Sequence, residues 1–177
     1  MEKVNPVRTP LDPGIALEAN LDGNVGDWSN SYMRLIGELQ FLMKATQPNI
    51  TFTISQLSCY TVNPMMQHIS ALKHVLHYLL GTRLYGITYN NILGHPNYFF
   101  SYANASFAST DDLKLITGYI FMMASGTITW FSKKQSITTM STTEAKYIAL
   151  SKAACKARWL RNLFSELGFA QTLPTMI

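Results

Sequence analysis

The chain has 177 residues, of which 47% are hydrophobic and 14% are charged, and its formal net charge is +4. This apolar content supports a folded core and excludes a wholly disordered chain. The N-terminal stretch MEKVNPVRTPLDPG lacks the apolar segment of a signal peptide, and no run of about 18 apolar residues predicts a membrane span. The two cysteines, Cys59 and Cys155, form no CxxC pair, which favours a reducing, intracellular location.

The first part of the chain is predicted to be helical after an N-terminal arm. Residues 1–28 are rich in Pro, Gly, Asn and Asp, which predicts an extended, loosely held arm. Helical spacing of apolar residues begins at Ser29 and stops at Gln47-Pro48. The next stretch, NITFTISQLSCYTVN, fits both a strand and a helix. MMQHISALKHVLHYLLGT is a predicted helix with Gly81 as its C-cap.

The second part changes to a strand period and ends in a helix. Four stretches are predicted strands: LYGITYN, NYFFSYANAS, TGYIFMMAS and GTITWFSKKQ. The segment ASGT between the last two is a predicted tight hairpin turn. STTEAKYIALSKAACKARWLRNLFSELG is a predicted long helix that ends at Gly168. Successive strands followed by a helix predict an α+β fold.

Glu144 is the most informative single residue, and it has two interpretations. Ser141-x-x-Glu144 matches a capping box, in which the glutamate only fixes the start of the helix. A carboxylate at this position is also a candidate metal ligand that faces a neighbouring strand. The spacing alone favours the capping interpretation.

The histidines and the basic residues give weaker signals. His68, His74 and His77 share one predicted helix without an acid or cysteine at ligand spacing, which favours a polar face over a zinc site. Lys133 and Lys134 follow an aromatic strand and are candidate phosphate contacts, although a solvated strand end explains them equally well. The cations of the long helix scatter over more than one face, which favours solvation: Lys152, Lys156, Arg158 and Arg161.

Three strings carry a family resemblance: SYMRLIGELQFLMKATQPNITFTISQLS, HISALKHVLHYLLGTRLYGITY and TGYIFMMASGTITWFSKKQSITTMSTTEAKYIALSKAACKARWLRNLFSELG. Together they resemble the Pol polyprotein of copia-type LTR retrotransposons, from about Asn5 to the last residue. In that family this stretch covers the end of reverse transcriptase and the start of ribonuclease H. The resemblance implies that residues 29–90 are a helical, thumb- or connection-like end of reverse transcriptase. It also implies that residues 91–177 are a truncated ribonuclease H-like domain, a three-stranded β-meander plus a long helix.

The resemblance also assigns the candidate site. Family ribonuclease H cuts the RNA strand of an RNA–DNA hybrid and resembles a two-metal enzyme in which clustered acids hold Mg²⁺. By this resemblance, Glu144 matches the acid that opens the helix. Asn104 stands at the leading aspartate, and Ser106 at the second acid, of a string that usually reads YSDADWA. Lys146 replaces the second glutamate of TEAEY, and the third acid, in a CDN strand, is expected beyond LPTMI. Asp111 and Asp112 follow the strand end as distant candidates.

A neutral amide brings no charge to balance Mg²⁺, the cofactor that the resemblance implies for the ancestral enzyme. No intact metal site and no bound cofactor are therefore expected. We therefore predict a degenerate Pol fragment whose ancestral activities, RNA-directed DNA polymerase and ribonuclease H, are lost. The alternative is a non-catalytic module that retains the fold and binds RNA–DNA hybrid or other Pol segments. A third hypothesis is an unrelated structural domain in which Glu144 only caps a helix. No membrane partner and no small-molecule substrate are expected.

Two structural expectations follow from the resemblance. Asn104 and Glu144 are expected to face one pocket. The family sheet gains a further strand and helices after Gly168, and without them Trp130, Trp159 and Leu160 are expected to be partly exposed.

Overall fold

A computed structural model describes residues 5–20, 28–90, 98–106, 115–136 and 141–177. These residues form four α-helices and one three-stranded antiparallel sheet, which is the predicted α+β class. The chain divides into two compact units, Met1–Gly86 and Ile87–Ile177. Within the described ranges, no helix is long and apolar enough to cross a membrane.

The first unit is a small helical cluster. Its helices are α1 (Ser29–Ala45), α2 (Thr51–Leu57) and α3 (Met66–Thr82), with 3₁₀ turns at Pro48–Ile50 and Ser58–Tyr60. The stretch that fitted both a strand and a helix is therefore helical. Ile50, Ile54 and Leu57 recur every three or four residues and are fully buried, so their helical period prevails over the strand preference of the β-branched residues.

The N-terminal arm is held against these helices. Its side chains Val7, Leu11 and Leu17 pack on the helical core. Its backbone carbonyls accept hydrogen bonds from helical side chains, as in the bond from the Tyr60 hydroxyl to Leu17 O (2.8 Å) and that from Gln67 Nε2 to Glu18 O (3.2 Å). The expectation of a loosely held arm is therefore wrong for residues 5–20, because apolar anchors and satisfied carbonyls fix this segment.

Gly81 has a different role from the predicted one. The helix continues to Thr82, and Arg83 is its C-cap residue, so the prediction of a Gly81 C-cap is wrong. A Cβ added at Gly81 would lie 2.9 Å from the Cβ of Pro6. The glycine therefore allows the arm to approach the helix closely, at a distance that a side chain would prevent.

His68 is a core residue rather than part of a polar face. Its ring is fully buried and stacks on Tyr60, with the ring centroids 4.1 Å apart. Its Nδ1 accepts the Met65 N–H at 2.8 Å, which places the proton of the neutral ring on Nε2. Burial lowers the pKa of His68, and the backbone of Glu18 partly offsets this shift. The polar-face prediction is wrong for His68, because the ring is fully buried in the helical core, where the backbone at the start of its own helix satisfies Nδ1.

The second unit contains the sheet and the longest helix. Strands β1 (Phe99–Ser106), β2 (Ile116–Met123) and β3 (Gly126–Lys134) form an antiparallel meander in that order, followed by α4 (Thr142–Glu166). The predicted strand in LYGITYN is wrong, because residues 84–90 are not part of any strand. Tyr89 instead reaches the hairpin through its side chain, whose hydroxyl donates to Thr127 O at 2.8 Å. A side chain at Gly126 would collide with the Tyr89 ring, so the glycine keeps this contact open.

The β2–β3 turn has the predicted position and an unusual backbone. Ala124 and Ser125 have φ angles of 49° and 65°, as a type I′ hairpin turn requires of its two central residues. Such turns usually carry asparagine and glycine, because a Cβ is strained in the left-handed region. The hairpin is therefore closed at a conformational cost.

Helix α4 packs on the sheet through alanines. Ala145, Ala149, Ala153 and Ala157 recur every four residues and are at most 5% exposed. Their small side chains let the helix lie close to β1 and β2, where Leu160 joins Phe99 and Phe121 in the core. The helix ends as predicted: Gly168 adopts a φ of 83°, and Phe169 N donates to Phe164 O at 2.7 Å in a Schellman motif.

The C-terminal tail returns along the free edge of β1. Ser101 N donates to Met176 O at 2.9 Å. Arg161 holds the tail from α4 by donating to Gln171 O (2.6 Å), Leu173 O (2.8 Å) and Thr175 Oγ1 (3.1 Å).

The expectation of exposed aromatic and apolar residues around α4 is only partly met. Trp130 is half-buried and Trp159 is 53% exposed, as expected. The expectation is wrong for Leu160, which is 5% exposed because its side chain points into the core between α4 and the sheet.

The buried His68 makes the stability of the chain depend on pH. The folded-state pKa lies below the ordinary value of 6.5, so the unfolded chain binds the proton more readily. The contribution of His68 to the free energy of unfolding is therefore complete above pH 6.5 and decreases as the pH falls from 6.5 to the folded-state pKa. Chemical denaturation at a series of pH values measures this loss. We expect it to disappear in His68→Gln and to persist in His77→Gln.

Relief of the strained turn should stabilise the second unit. We expect Ser125→Gly to raise the free energy of unfolding by about 1 kcal/mol, because glycine adopts a positive φ without a steric penalty. The matched control is Ser151→Gly in the middle of α4, which should lower it by about 0.5 kcal/mol. A destabilised Ser125→Gly variant in thermal or chemical unfolding would contradict the strain at this turn.

The guanidinium group of Arg161 is predicted to stabilise the position of the tail along β1. We expect Arg161→Ala to accelerate hydrogen exchange at the Ser101 amide by roughly tenfold, because hydrogen bonds from a charged donor stabilise by about 1.5 kcal/mol. Arg158→Ala, at an exposed position of the same helix, is the control and should leave this amide unchanged. Equal exchange rates in the two variants would show that the tail is held without Arg161.

Candidate functional site

Glu144 lies in the first turn of α4, where the local geometry is that of a cap. Ser141 has an extended backbone (φ −145°, ψ 153°), and its Oγ accepts the Glu144 N–H at 3.1 Å. This is the serine half of the predicted capping box. The Glu144 side chain is exposed, and a carboxylate at a helix N-terminus is favoured by the helix dipole.

Asn104 and Ser106 lie on the opposite face of the sheet from α4. Asn104 pairs with Gly118 and Ser106 pairs with Ile116, whereas the helix-facing residues of β2 include Tyr119 and Phe121. Since side chains alternate along a strand, Asn104 and Ser106 share the outer face, and both are exposed.

The structure does not bring Asn104 and Glu144 together. The Asn104 side-chain oxygen accepts the N–H of Ala105 at 2.9 Å, and no hydrogen bond joins Asn104 to Glu144. The expectation that the two side chains face one pocket is therefore not supported.

Gln135 connects the elements around the start of α4, a role that no sequence motif indicates. It is 2% exposed, and its Nε2 donates to Thr117 Oγ1 (2.9 Å) on β2 and to Ala145 O (3.2 Å) in α4. Its backbone N–H donates to Leu115 O at 2.7 Å. The amide thus fixes the first turn of α4, and with it Glu144, relative to the sheet. Only a buried position distinguishes Gln135 from an ordinary polar residue after a strand, and burial is not visible in the sequence.

Lys133 and Lys134 do not form one cluster. Lys133 pairs with Thr117, which is buried on the helix-covered face, whereas Lys134 pairs with Ile116 on the outer face. Adjacent residues of a strand point to opposite faces, so the two cations lie on different sides of the sheet.

Two cations of α4 are more ordered than the sequence predicts. Lys152 Nζ lies 6.0 Å from the centroid of the Phe131 ring on β3, and Lys156 Nζ lies 3.7 Å from the centroid of Trp159. Partial burial lowers the pKa of Lys156. Arg161 reaches the tail on the other flank of the helix. The cations of α4 are predicted from the sequence to lie on more than one face of the helix. Arg161 does lie on a different flank, but Lys152 and Lys156 lie together on one flank.

The described residues contain no group of three or more His, Cys, Asp or Glu that is arranged to hold a metal ion. His74 is occupied by the arm, since its Nε2 lies 2.8 Å from Thr9 O. Asp111 and Asp112, the distant candidates, lie outside the described residues.

Comparison with known proteins identifies the origin of the chain. It is 33% identical over its full length to the retrovirus-related Pol polyprotein from transposon RE1 of Arabidopsis thaliana, and 32% identical over 97% of its length to that from transposon TNT 1-94 of Nicotiana tabacum. It spans 12% and 13% of these two polyproteins, respectively. A secreted RxLR effector protein 161 from Plasmopara viticola is 33% identical over 73% of this chain and 90% of that protein.

No family model matches the chain, and no solved structure gives a significant match. The polyprotein matches cover the whole chain or nearly all of it, and they agree with the resemblance carried by its three strings. The chain belongs to the retrovirus-related Pol polyprotein family of transposons.

Proposed function

We propose that the chain is a segment of a copia-type Pol polyprotein that has lost hydrolytic activity. In this proposal the helical unit derives from the end of reverse transcriptase, and the second unit is a truncated ribonuclease H-like domain. The antiparallel meander followed by a long helix supports this assignment. The observation that carries the loss of activity is the pair of neutral residues, Asn104 and Ser106, at the positions where the family has acids.

The residues present do not fit a pair of magnesium ions. Two-metal hydrolysis requires carboxylates that neutralise the ions and fix their separation. Asn104 supplies an uncharged oxygen, and that oxygen already accepts the Ala105 N–H. Glu144 contributes a carboxylate, but it lies on an exposed helix turn without a hydrogen bond to Asn104. We therefore derive no catalytic step through a metal.

The interpretation of Glu144 as a cap agrees with this proposal. The hydrogen bond from Glu144 N–H to Ser141 Oγ gives this region a structural task that needs no metal. Family membership, in turn, argues against an unrelated structural domain. A position inherited from an active enzyme is thus retained, in this proposal, because it stabilises the start of α4.

The positions of Lys133 and Lys134 argue against joint binding of an RNA–DNA hybrid by these two residues. The two lysines lie on opposite faces of β3, so one backbone of a duplex does not contact both from one side. Lys133 alone shares the helix-covered face with Phe131.

A cleavage assay tests the proposed loss of hydrolysis. The purified chain is incubated with a labelled RNA–DNA hybrid and Mg²⁺, beside the Glu144→Gln variant. We expect no cleavage by either protein, because a single carboxylate does not hold two metal ions in the required geometry.

The variant separates real activity from contamination. Cleavage that is equally fast with Glu144→Gln comes from a contaminating nuclease. Cleavage that is present in the original chain and abolished in Glu144→Gln would overturn the proposal. Circular dichroism of both proteins confirms that the comparison is made between folded chains.

A further inference from the structure

One flank of α4 lies on the side of the edge strand β3, and lysines and aromatic rings are found there. We define the lysine flank as Lys133, Lys152 and Lys156, together with the rings of Phe131 and Trp159. Lys152 and Lys156 are one helical turn apart on the same side of α4. Lys133 and Phe131 are two residues apart in β3, so they point to the same face of the sheet.

Aromatic rings are the neighbours of two lysines of this flank. Lys152 lies over Phe131 and Lys156 over Trp159, and within the described part of the chain no ion pair to an acid is seen for either lysine. The acids of α4 lie near its two ends, at Glu144 and Glu166, rather than on this stretch of the helix. The flank therefore presents an unbalanced positive charge, and this charge is complementary to phosphate.

The ring of Phe131 is half-buried and supported by a neighbour, whereas that of Trp159 is accessible. Phe131 stacks on Tyr119 with the ring planes 11° apart and the centroids 5.1 Å apart. The side chain of Trp159 is 53% exposed, although its neighbours Ala157 and Leu160 in α4 are buried. Helix α4 covers β1 and β2 rather than β3, so the rings at the β3 edge are left beside the lysines.

We propose that the lysine flank binds single-stranded nucleic acid, with the phosphates contacted by Lys133, Lys152 and Lys156 and a base stacked on the exposed ring of Trp159. Lysines interleaved with accessible rings are the combination that binds single strands without sequence preference. Bases in a duplex are stacked on one another and do not offer their faces to protein rings, so the rings favour a single strand over a hybrid duplex. RNA and DNA share the chemistry that the flank recognises. This inference goes beyond the loss of hydrolysis and does not depend on it.

Fluorescence anisotropy tests the proposal with the full chain and labelled oligonucleotides of about 12 residues, which fit one site of this type. The probes are single-stranded RNA, single-stranded DNA and an RNA–DNA hybrid of equal length. We expect both single strands to bind more tightly than the hybrid, with an affinity that falls as the salt concentration rises. In the triple variant Lys133→Gln, Lys152→Gln, Lys156→Gln, affinity should fall at least about tenfold, and the salt slope should decrease by about 2.

Two further variants make the test specific. A charge-matched control, Lys44→Gln, Lys73→Gln, Lys134→Gln, removes three cations away from the flank and should retain most of the affinity. Trp159→Ala should weaken single-strand binding by about tenfold through lost base stacking. The proposal fails if the chain does not bind single strands at low salt, if the two triple variants lose affinity equally, or if the hybrid binds as tightly as the single strands.

Discussion

The close contact between the alanines of α4 and the sheet determines the arrangement of the second unit. A row of methyl groups at Ala145, Ala149, Ala153 and Ala157 allows the helix to lie nearly on the backbone of β1 and β2. Larger residues at these positions would lift the helix and open the core around Phe99 and Phe121. Because the helix is so close, the long side chains on its two flanks extend past it to the neighbouring segments.

The two flanks of α4 make different contacts. On one side Arg161 donates to the tail, and on the other Lys152 lies over the ring of Phe131. The same packing positions Glu144, since Gln135 joins the first turn of α4 to β2 through buried hydrogen bonds. A single helix thus positions the tail, the lysine flank and Glu144. None of these contacts involves Asn104 or Ser106, so the packing of α4 does not depend on the residue types at those two positions.

The sequence predicted the elements whose signals are local. The type of α4, its end at Gly168, the β2–β3 turn and the α+β class all follow from spacing or from turn and cap residues. The resemblance to Pol polyproteins, which rests on long strings, was also confirmed. The resemblance drew attention to Asn104, but the face of the sheet that its side chain occupies is visible only in the strand register.

The misses share a physical cause, which is that long-range contacts decide them. In the sequence His68 cannot be distinguished from His74 and His77 of the same helix, yet its ring is buried and stacks on Tyr60. A glycine near the end of a helical pattern usually predicts a C-cap. Gly81 instead makes room for Pro6, a residue far away in sequence. LYGITYN has strand-like residues, yet Tyr89 and Asn90 contact the β2–β3 hairpin through single hydrogen bonds and not through a strand ladder. The lysine flank was hidden because helical position alone does not show which side of α4 faces β3.

The tail along β1 has a consequence for how the chain behaves in a crowded cell. An uncovered edge strand offers unpaired backbone groups to any other extended chain and promotes edge-to-edge aggregation. The tail occupies part of that edge through the bond from Ser101 N to Met176 O, and hydrogen bonds from Arg161 and from the Tyr98 hydroxyl to Pro174 O hold it there. The last nine residues therefore cover part of the edge of β1, and their release would expose backbone groups that favour self-association. Retention of this short segment then matters for solubility, whether or not any ancestral chemistry remains.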